Sequence, residues 1–156
     1  MNKPTPSTSD APWSLTGKSA IVAGASRGIG QVIATYLACK SLSKLAITYV
    51  TNLKAAQTTV EDCQRLGVKD ALGPAFGLKI IYATLEGLHV TVIDILVNNA
   101  VLTKPRKVQP VKETALNVFT EVMQANVYAP LTLIMAFLSH LPAYGGHVVN
   151  ISSILS

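Results

Sequence analysis

The chain has 156 residues, of which 49% are hydrophobic and 13% charged, with a net charge of +5. This length fits one domain with a substantial core, and the composition favours a buried parallel sheet covered by helices. The basic residues are scattered except for Lys104, Arg106 and Lys107, which have no aromatic residues between them. We therefore expect no nucleic-acid partner.

Signals for export or membrane insertion are not evident in the sequence. No apolar core of a signal peptide follows Lys3, and the apolar run 127–138 is short for a bilayer and contains Pro130. Cys39 and Cys63 lack the spacing of a paired motif, which favours reduced thiols. We expect a cytoplasmic protein with no membrane partner and no metal site.

The N-terminal part of the chain divides into a polar lead-in and the start of a folded domain. Residues 1–14 are rich in proline, serine and threonine, which predicts a disordered segment before a domain over 15–156. The apolar run 19–23 predicts a buried strand. Apolar residues then recur at helical spacing as far as Cys39, namely Val32, Ile33, Tyr36 and Leu37.

A turn with three glycines joins this strand to this helix. Gly24, Gly28 and Gly30 have the spacing G-x-x-x-G-x-G. Glycines in such a turn let backbone approach a phosphate, and the following helix directs free N–H groups and its positive dipole end at the same place. The pattern favours a site for a nucleotide pyrophosphate, with an ordinary turn as the alternative.

The rest of the chain alternates strand and helix, which predicts a Rossmann-like, doubly wound parallel α/β sheet. The third strand is weak or missing, because Gly73 and Pro74 interrupt it, and the sheet is truncated after the fifth. The expected elements are strand 45–50, a helix begun by Asn52 and ended by Gly67, weak strand 68–74, helix 76–88, strand 92–97, a long fourth helix 111–141 bent at Pro130, and strand 147–151.

Three motifs in this order resemble the short-chain dehydrogenase/reductase family. The glycine turn matches the family's T-G-x-x-x-G-x-G, with Ala23 in place of the threonine. Asn98-Asn99-Ala100 matches N-N-A-G, with Val101 in place of the glycine. Residues 149–153 match the strand-five segment that carries the family's catalytic serine. The resemblance covers about 15–156 and is strongest to NADP-dependent classical reductases, such as 3-oxoacyl carrier-protein reductases and fungal polyketide reductases.

The resemblance implies a role for several residues. Ser153 would hydrogen-bond a substrate carbonyl, and Asn126 would order a proton-relay water. Ser152 or Ser153 could instead cap a following segment, and Asn126 could be a surface amide. The implied cofactor-binding residues are Gly24, Ser26, Arg27, Gly28, Ile29 and Gly30 at the pyrophosphate, and Asn98 and Ala100 beside the riboses, although Asn98-Asn99 also fits an ordinary turn.

Charge near the glycine turn predicts NADP rather than NAD. NAD-binding relatives place a carboxylate about 20 residues beyond the glycines, on the ribose 2′-hydroxyl. Between Asp10 and Glu61 this chain has no carboxylate. Arg27 can bind a 2′-phosphate through two hydrogen bonds, the alternative being a solvated turn residue.

The chain departs from the family at its catalytic pair. The family uses a Tyr-x-x-x-Lys after the strand-five serine, and none follows Ser153 within these 156 residues. Tyr36 and Lys40 have that spacing, but we interpret them as a chance match on the first helix, with Tyr36 on its apolar face. Asp70 lacks the context of the family's adenine contact, and Val101 is expected to crowd the backbone near the nicotinamide.

Three hypotheses remain. In the first, the chain belongs to an NADP(H)-dependent oxidoreductase that reduces small carbonyl compounds or oxidises alcohols, and is inactive alone. In the second, it is a non-catalytic nucleotide-binding fragment that associates with a full-length relative, or with itself, through the long fourth helix. In the third, the chain has no stable function.

Overall fold

The computed structural model describes residues 13–73, 80–102 and 110–152. The strands within these ranges are β1 (Ser19–Val22), β2 (Lys44–Ile47), β3 (Asp70–Leu72), β4 (Ile95–Asn98) and β5 (His147–Asn150). The α-helices are α1 (Gly28–Cys39), α2 (Leu53–Arg65), α3 (Ile80–Gly87), α4 (Leu116–Met123) and α5 (Ala129–Phe137). A π-helical turn, Gln124–Tyr128, joins α4 to α5, and 3-10 turns cover Val111–Glu113 and Leu138–His140.

The strands form one parallel sheet in the order β3-β2-β1-β4-β5. This arrangement confirms the expected doubly wound α/β fold. The weak third strand exists, but it has only three residues and none of them is fully buried. β5 lies at the opposite edge, paired with β4 from Ile95↔His147 to Asn98↔Asn150.

Alternating residues of the central strands point to opposite faces of the sheet and pack in two separate hydrophobic cores. On one face, Ala20, Val22, Leu45 and Ile47 pack with α1 and α2. On the other face, Ile21, Ala46 and Leu96 pack with the end of α3 and with α5, through Leu88, Leu133 and Phe137. A strand buried on both faces has no polar positions to alternate with its apolar ones, which explains the short continuous apolar runs in the sequence.

The buried side of α1 is narrower than its sequence pattern suggests. Gly30, Ala34 and Ala38 face the sheet, whereas Val32 is 65% exposed. The expectation that Tyr36 lies on the apolar face is therefore wrong, since its side chain is 53% exposed. Small residues let the helix approach the sheet closely, and Ile33 and Leu37 pack against the same core at the border of the buried face.

The ends of α2 agree with the sequence. The side chain of Asn52 accepts a hydrogen bond from Ala55 N at 3.0 Å, which caps the helix. The helix ends at Arg65, two residues before Gly67. The side-chain oxygen of Asn52 is therefore engaged in capping α2.

The long fourth helix is interrupted by the π-helical turn just ahead of the proline. Pro130 lies in the first turn of α5 and has no N–H for the carbonyl of Asn126, four residues earlier. A widened turn ahead of the proline relieves the clash with that carbonyl. Pro130 therefore fixes the site of the irregularity, and Asn126 lies inside it.

The segment Leu116–His140 has 25 residues and a mean hydropathy of 1.4, so by length and composition it could cross a membrane. The shorter run 127–138 thus underestimated the apolar segment. Only 11% of its most apolar part is buried. Leu133 and Phe137 nevertheless pack into the core of the sheet, and the absence of a membrane partner stays a prediction.

The expected lead-in is described only at its end. Residues 1–12 lie outside the described ranges, but Trp13 and Ser14 are placed. The Trp13 ring lies 6.4 Å from that of Tyr36, and Leu15 N donates to Lys40 O at 2.8 Å. The described chain is therefore attached to the end of α1 from Trp13 onward.

Candidate functional site

The glycine turn is held at the carboxyl ends of three neighbouring strands. Gly24 N donates to Thr48 Oγ1 at 3.1 Å, and Ala25 N donates to the carbonyl of Thr48, also at 3.1 Å. Ala23 N donates to Val97 O in β4. Thr48 directly follows β2, so the turn is fixed on one side by a residue that its own sequence motif does not include.

Asn99 fixes the turn from the other side. Its Nδ2 donates to the carbonyls of Ala23 at 3.1 Å and Gly24 at 3.2 Å. A Cβ on Gly30 would overlap the Asn99 amide and lie 2.6 Å from Gly24 O. Glycine at position 30 therefore lets α1 start directly above these contacts.

Ala100 crosses closely beside the turn. Gly24 has φ +69°, and a Cβ built on it would lie 2.8 Å from Ala100 Cα. Only glycine suits both the left-handed backbone and this contact. The glycine motif and the Asn-Asn-Ala motif are thus one packed unit, although Asn98 lies 74 positions after Gly24 in the sequence.

The first turn of α1 is open to an anion. Arg27 is the N-cap residue, its side chain makes no capping hydrogen bond, and the first turn has no acidic residue. Arg27, Gly28 and Ile29 are exposed, and Ser26 is half-buried beside them. Helix N–H groups without a side-chain cap, in a positive field, are the partners that a phosphate needs.

Asn98 turns its side chain along the sheet. Its Nδ2 donates to Asn150 Oδ1 at 2.9 Å, and the residue is 6% exposed. Its Oδ1 is buried and has no hydrogen-bond partner among the described residues. The side chain therefore links β4 to the end of β5, where the segment containing Ser152 begins.

Asn126 holds the chain that follows this motif. Its Oδ1 accepts from Leu102 N at 2.7 Å, and its Nδ2 donates to Leu102 O at 2.9 Å. The side chain is half-buried, so the alternative of a free surface amide is wrong. Because one amide satisfies both backbone groups of Leu102, the π-helical turn and the segment after Ala100 are positioned together.

Other candidate residues lie at the ends of the described ranges or outside them. Ser152 is exposed after β5, and Ser153 lies outside the described residues, as do Lys104, Arg106 and Lys107. Val101 is 70% exposed, and its expected crowding near the nicotinamide stays a prediction.

Asp70 and the pair Tyr36–Lys40 lie away from the carboxyl ends of the strands, where the glycine turn is. Asp70 starts β3 and pairs with Lys44 at 3.4 Å, at the amino end of the sheet. Lys40 follows the last residue of α1, at the opposite end of that helix from the glycine turn, and its Nζ lies 5.4 Å from the Tyr36 ring centroid. This contact gives Tyr36 and Lys40 a structural explanation, in agreement with a chance match.

Sequence reasoning missed Thr48 and did not assign a role to Asn99. Both are polar residues at the end of an apolar strand. That position is a usable signal, because in a parallel sheet the carboxyl ends of the strands meet at the edge where ligands bind. The sequence alone could not show that both would bond the same turn.

Known proteins are similar to this chain in sequence. The family model of short chain dehydrogenases matches residues 18–156. The chain is 50% identical over 150 residues to the short chain dehydrogenase asqE of Emericella nidulans, covering 92% of this chain and 55% of that protein. It is 47% identical to the short chain dehydrogenase penD of Penicillium thymicola, covering 95% of this chain and 56% of that protein.

Solved structures of short-chain dehydrogenases and ketoreductases are also similar to this chain. The landomycin C-6 ketoreductase LanV with bound NADP and rabelomycin has a TM-score of 0.78 and 32% identity, covering 90% of this chain and 60% of its own. A short chain dehydrogenase from Burkholderia cenocepacia in complex with NADP has a TM-score of 0.77 and 30% identity, covering 87% and 55%. The chain thus spans little more than half the length of these relatives. With the ordered motifs, the parallel sheet and the matched family model, it belongs to the short-chain dehydrogenase/reductase family.

Proposed function

We propose that this chain is the NADP(H)-binding part of an oxidoreductase that acts on a small carbonyl compound or alcohol in the cytoplasm. The observation that carries the proposal is the open first turn of α1, with exposed Arg27 and no side-chain cap, next to a glycine turn held by Thr48 and Asn99. This arrangement fits a dinucleotide pyrophosphate, because it offers free N–H groups and a close backbone approach.

Each part of the site has a task in this proposal. The turn from Gly24 to Gly30 binds the pyrophosphate, and the segment from Asn98 to Ala100 lies beside the riboses. Asn126 keeps that segment in place through Leu102. When bound, the cofactor supplies or accepts the hydride. The protein's own contribution is to orient it at the carboxyl edge of the sheet.

The choice of NADP rests on charge. Arg27 is exposed and has no ion-pair partner among the described residues. Asn52 caps α2, and no carboxylate follows β2 until Glu61. A 2′-phosphate therefore meets a free guanidinium and no negative charge, whereas a 2′-hydroxyl lacks the carboxylate that would select it.

Replacing Arg27 with alanine is expected to remove the preference for NADPH over NADH. A hydrogen bond to a charged group contributes about 1.5–3 kcal/mol, so the chain should bind NADPH at least about tenfold more tightly than NADH, and R27A should bind both alike. Titration calorimetry with both cofactors measures this. K112A, which removes an exposed positive charge elsewhere, is the matched control. Equal affinities in the unsubstituted chain contradict the assignment.

The isolated 156-residue chain is expected to show no useful carbonyl reduction. Within these 156 residues no Tyr-x-x-x-Lys follows Ser153, so the isolated chain lacks the family's general acid, which typically costs about 10²–10⁴-fold in rate. NADPH oxidation with a panel of ketones and 3-oxoacyl thioesters tests this. If the chain turns over at the rate of an ordinary enzyme and the Y36F substitution abolishes that turnover, Tyr36 is the general acid and the prediction is wrong.

A second function, association with a full-length relative, is supported by the outer side of the long helix. Within the described residues its large apolar side chains are at least 43% exposed along the whole length, at Leu116, Phe119, Met123, Val127, Leu131, Met135 and Leu138. A continuous apolar stripe of this kind suits contact with another protein.

A further inference from the structure

The glycine turn leaves the hydrogen-bond ladder between β1 and β2 shifted by one residue. Val22 lies opposite Ile47 in this parallel pair, and Thr48 N donates to Val22 O at 3.0 Å. The even spacing of a parallel ladder assigns the next donor on β1, Gly24 N, to the carbonyl of Thr48. Ala25 N donates to that carbonyl instead, at 3.1 Å. The shift occurs at Gly24, whose backbone is left-handed with φ +69°.

The side chain of Thr48 accepts the hydrogen bond that the shifted ladder leaves without a carbonyl. Gly24 N donates to Thr48 Oγ1 at 3.1 Å, so the hydroxyl replaces the carbonyl that Ala25 N occupies. Ala23, which is next to Thr48 in the extended register, has no hydroxyl to offer. Thr48 is only 1% exposed, so its side chain acts on the turn from below and is not available to a bound ligand.

The residues that follow Ala25 carry unpaired backbone donors. Within the described part of the chain, no backbone carbonyl accepts from the N–H groups of residues 26–30, and no side chain caps the helix. The next paired donor is Gln31 N, which donates to Arg27 O at 3.4 Å. A run of unpaired N–H groups at a helix start is an arrangement that binds phosphate. Thr48 therefore holds the upstream end of this run.

We propose that Thr48 is a positioning residue of the nucleotide site, and that its hydroxyl fixes the glycine turn in the shape that binds the pyrophosphate. The inference rests on the proposed function. Without the hydroxyl, Gly24 N and Ala25 N compete for one acceptor, the carbonyl of Thr48, and residues 26–30 move with them. Cofactor binding must then also order the turn, which weakens the affinity. Because both cofactors contain the pyrophosphate, NADPH and NADH lose affinity equally.

Cofactor titration of T48V and T48S tests the role of the hydroxyl. T48V keeps the shape of the side chain but not the hydroxyl, and it should weaken NADPH and NADH binding each about tenfold, with their ratio unchanged. T48S keeps the hydroxyl and should bind both within about twofold of the unsubstituted chain. T59V is the matched control, because Thr59 is also fully buried but donates to Ala55 O within α2. Unchanged affinity in T48V, a changed ratio, or T48S as weak as T48V overturns the proposal.

Amide hydrogen exchange without cofactor separates this inference from the proposed function. In T48V the Gly24 and Ala25 amides share one acceptor, so both should exchange about tenfold faster, while the Val22 amide inside β1 keeps its protection. T48S should restore slow exchange, and T48A takes the place of T48V should T48V fail to fold. If the unsubstituted chain binds neither cofactor, the proposed function fails, and the exchange rates still decide the role of Thr48. Equal exchange of both amides in T48V and the unsubstituted chain overturns it.

Discussion

Replacing Asp94 with alanine should lower the free energy of unfolding by about 3 kcal/mol, because it leaves the buried N–H of Ser19 without a partner and removes the ion pair with Lys18. Asp94 is 9% exposed. Its Oδ2 accepts from Ser19 N at 2.9 Å and from Ser19 Oγ at 3.1 Å, and its Oδ1 accepts from Lys18 Nζ at 2.8 Å. Lys18 is half-exposed, so most of the effect comes from Ser19.

The same carboxylate should make stability depend on acid pH. Burial by itself raises the pKa of Asp94, but the hydrogen bonds from Lys18 and Ser19 and the charge of Lys18 outweigh it, so the pKa lies below its ordinary value. A lowered folded-state pKa stabilises the fold above the unfolded-state pKa of about 3.9. That stability is lost as the pH falls from there through the folded-state pKa, and D94A should lack this part of the acid transition.

Urea unfolding followed by circular dichroism, from pH 7 down to pH 2, measures both effects. D62A is the control, since Asp62 pairs with Arg65 on the surface of α2 and should contribute less than about 1 kcal/mol. If D94A and D62A unfold at the same urea concentration, the bonds to Ser19 do not stabilise the sheet.

The sheet could be predicted from the sequence because its strands are buried on both faces. The runs around Ile21, Ala46 and Leu96 are short, apolar and bounded by turn residues, and each proved to be a strand. The start of α2 was equally predictable, because a capping side chain acts within a few residues of its own position. Helix capping and strands buried on both faces can therefore be predicted from short stretches of sequence.

The contacts that build the site are harder to predict from the sequence. Thr48 and Asn99 bond the glycine turn from two other strands, and no local pattern indicates which turn they will meet. The π-helical turn depends on the spacing between Asn126 and Pro130, whereas hydrophobic periodicity predicts one continuous helix across it. On α1, Ile33 and Leu37 pack against the core as expected, whereas Val32 and Tyr36 are exposed for a related reason. Close packing selects Gly30, Ala34 and Ala38, whereas a hydrophobic pattern gives most weight to the larger side chains.

The site is therefore better described as a junction of strands than as a motif. The family's glycine and Asn-Asn-Ala segments hold one another through Asn99 and Ala100, and Asn126 extends the same unit to the long helix. A substitution at the junction should consequently affect stability and cofactor binding together. Gly24 offers the sharpest test, because it contacts Ala100 through backbone alone.

Replacing Gly24 with alanine should lower the free energy of unfolding by about 2–5 kcal/mol and weaken NADPH binding. Two physical effects add. A left-handed backbone at φ +69° costs a non-glycine residue about 1–2 kcal/mol. The new Cβ would lie 2.8 Å from Ala100 Cα, and relieving such overpacking costs about 1–3 kcal/mol and separates the two segments of the site.

The matched control is G17A, which isolates the backbone effect. Gly17 has φ +78°, and a Cβ on it would meet nothing within 4 Å. G17A should therefore lose only about 1–2 kcal/mol and retain its affinity for NADPH. Urea unfolding and NADPH titration of the two variants separate strain from overlap. Should G24A and G17A lose the same stability, Ala100 moves away without cost, and the two motifs are not the packed unit described here.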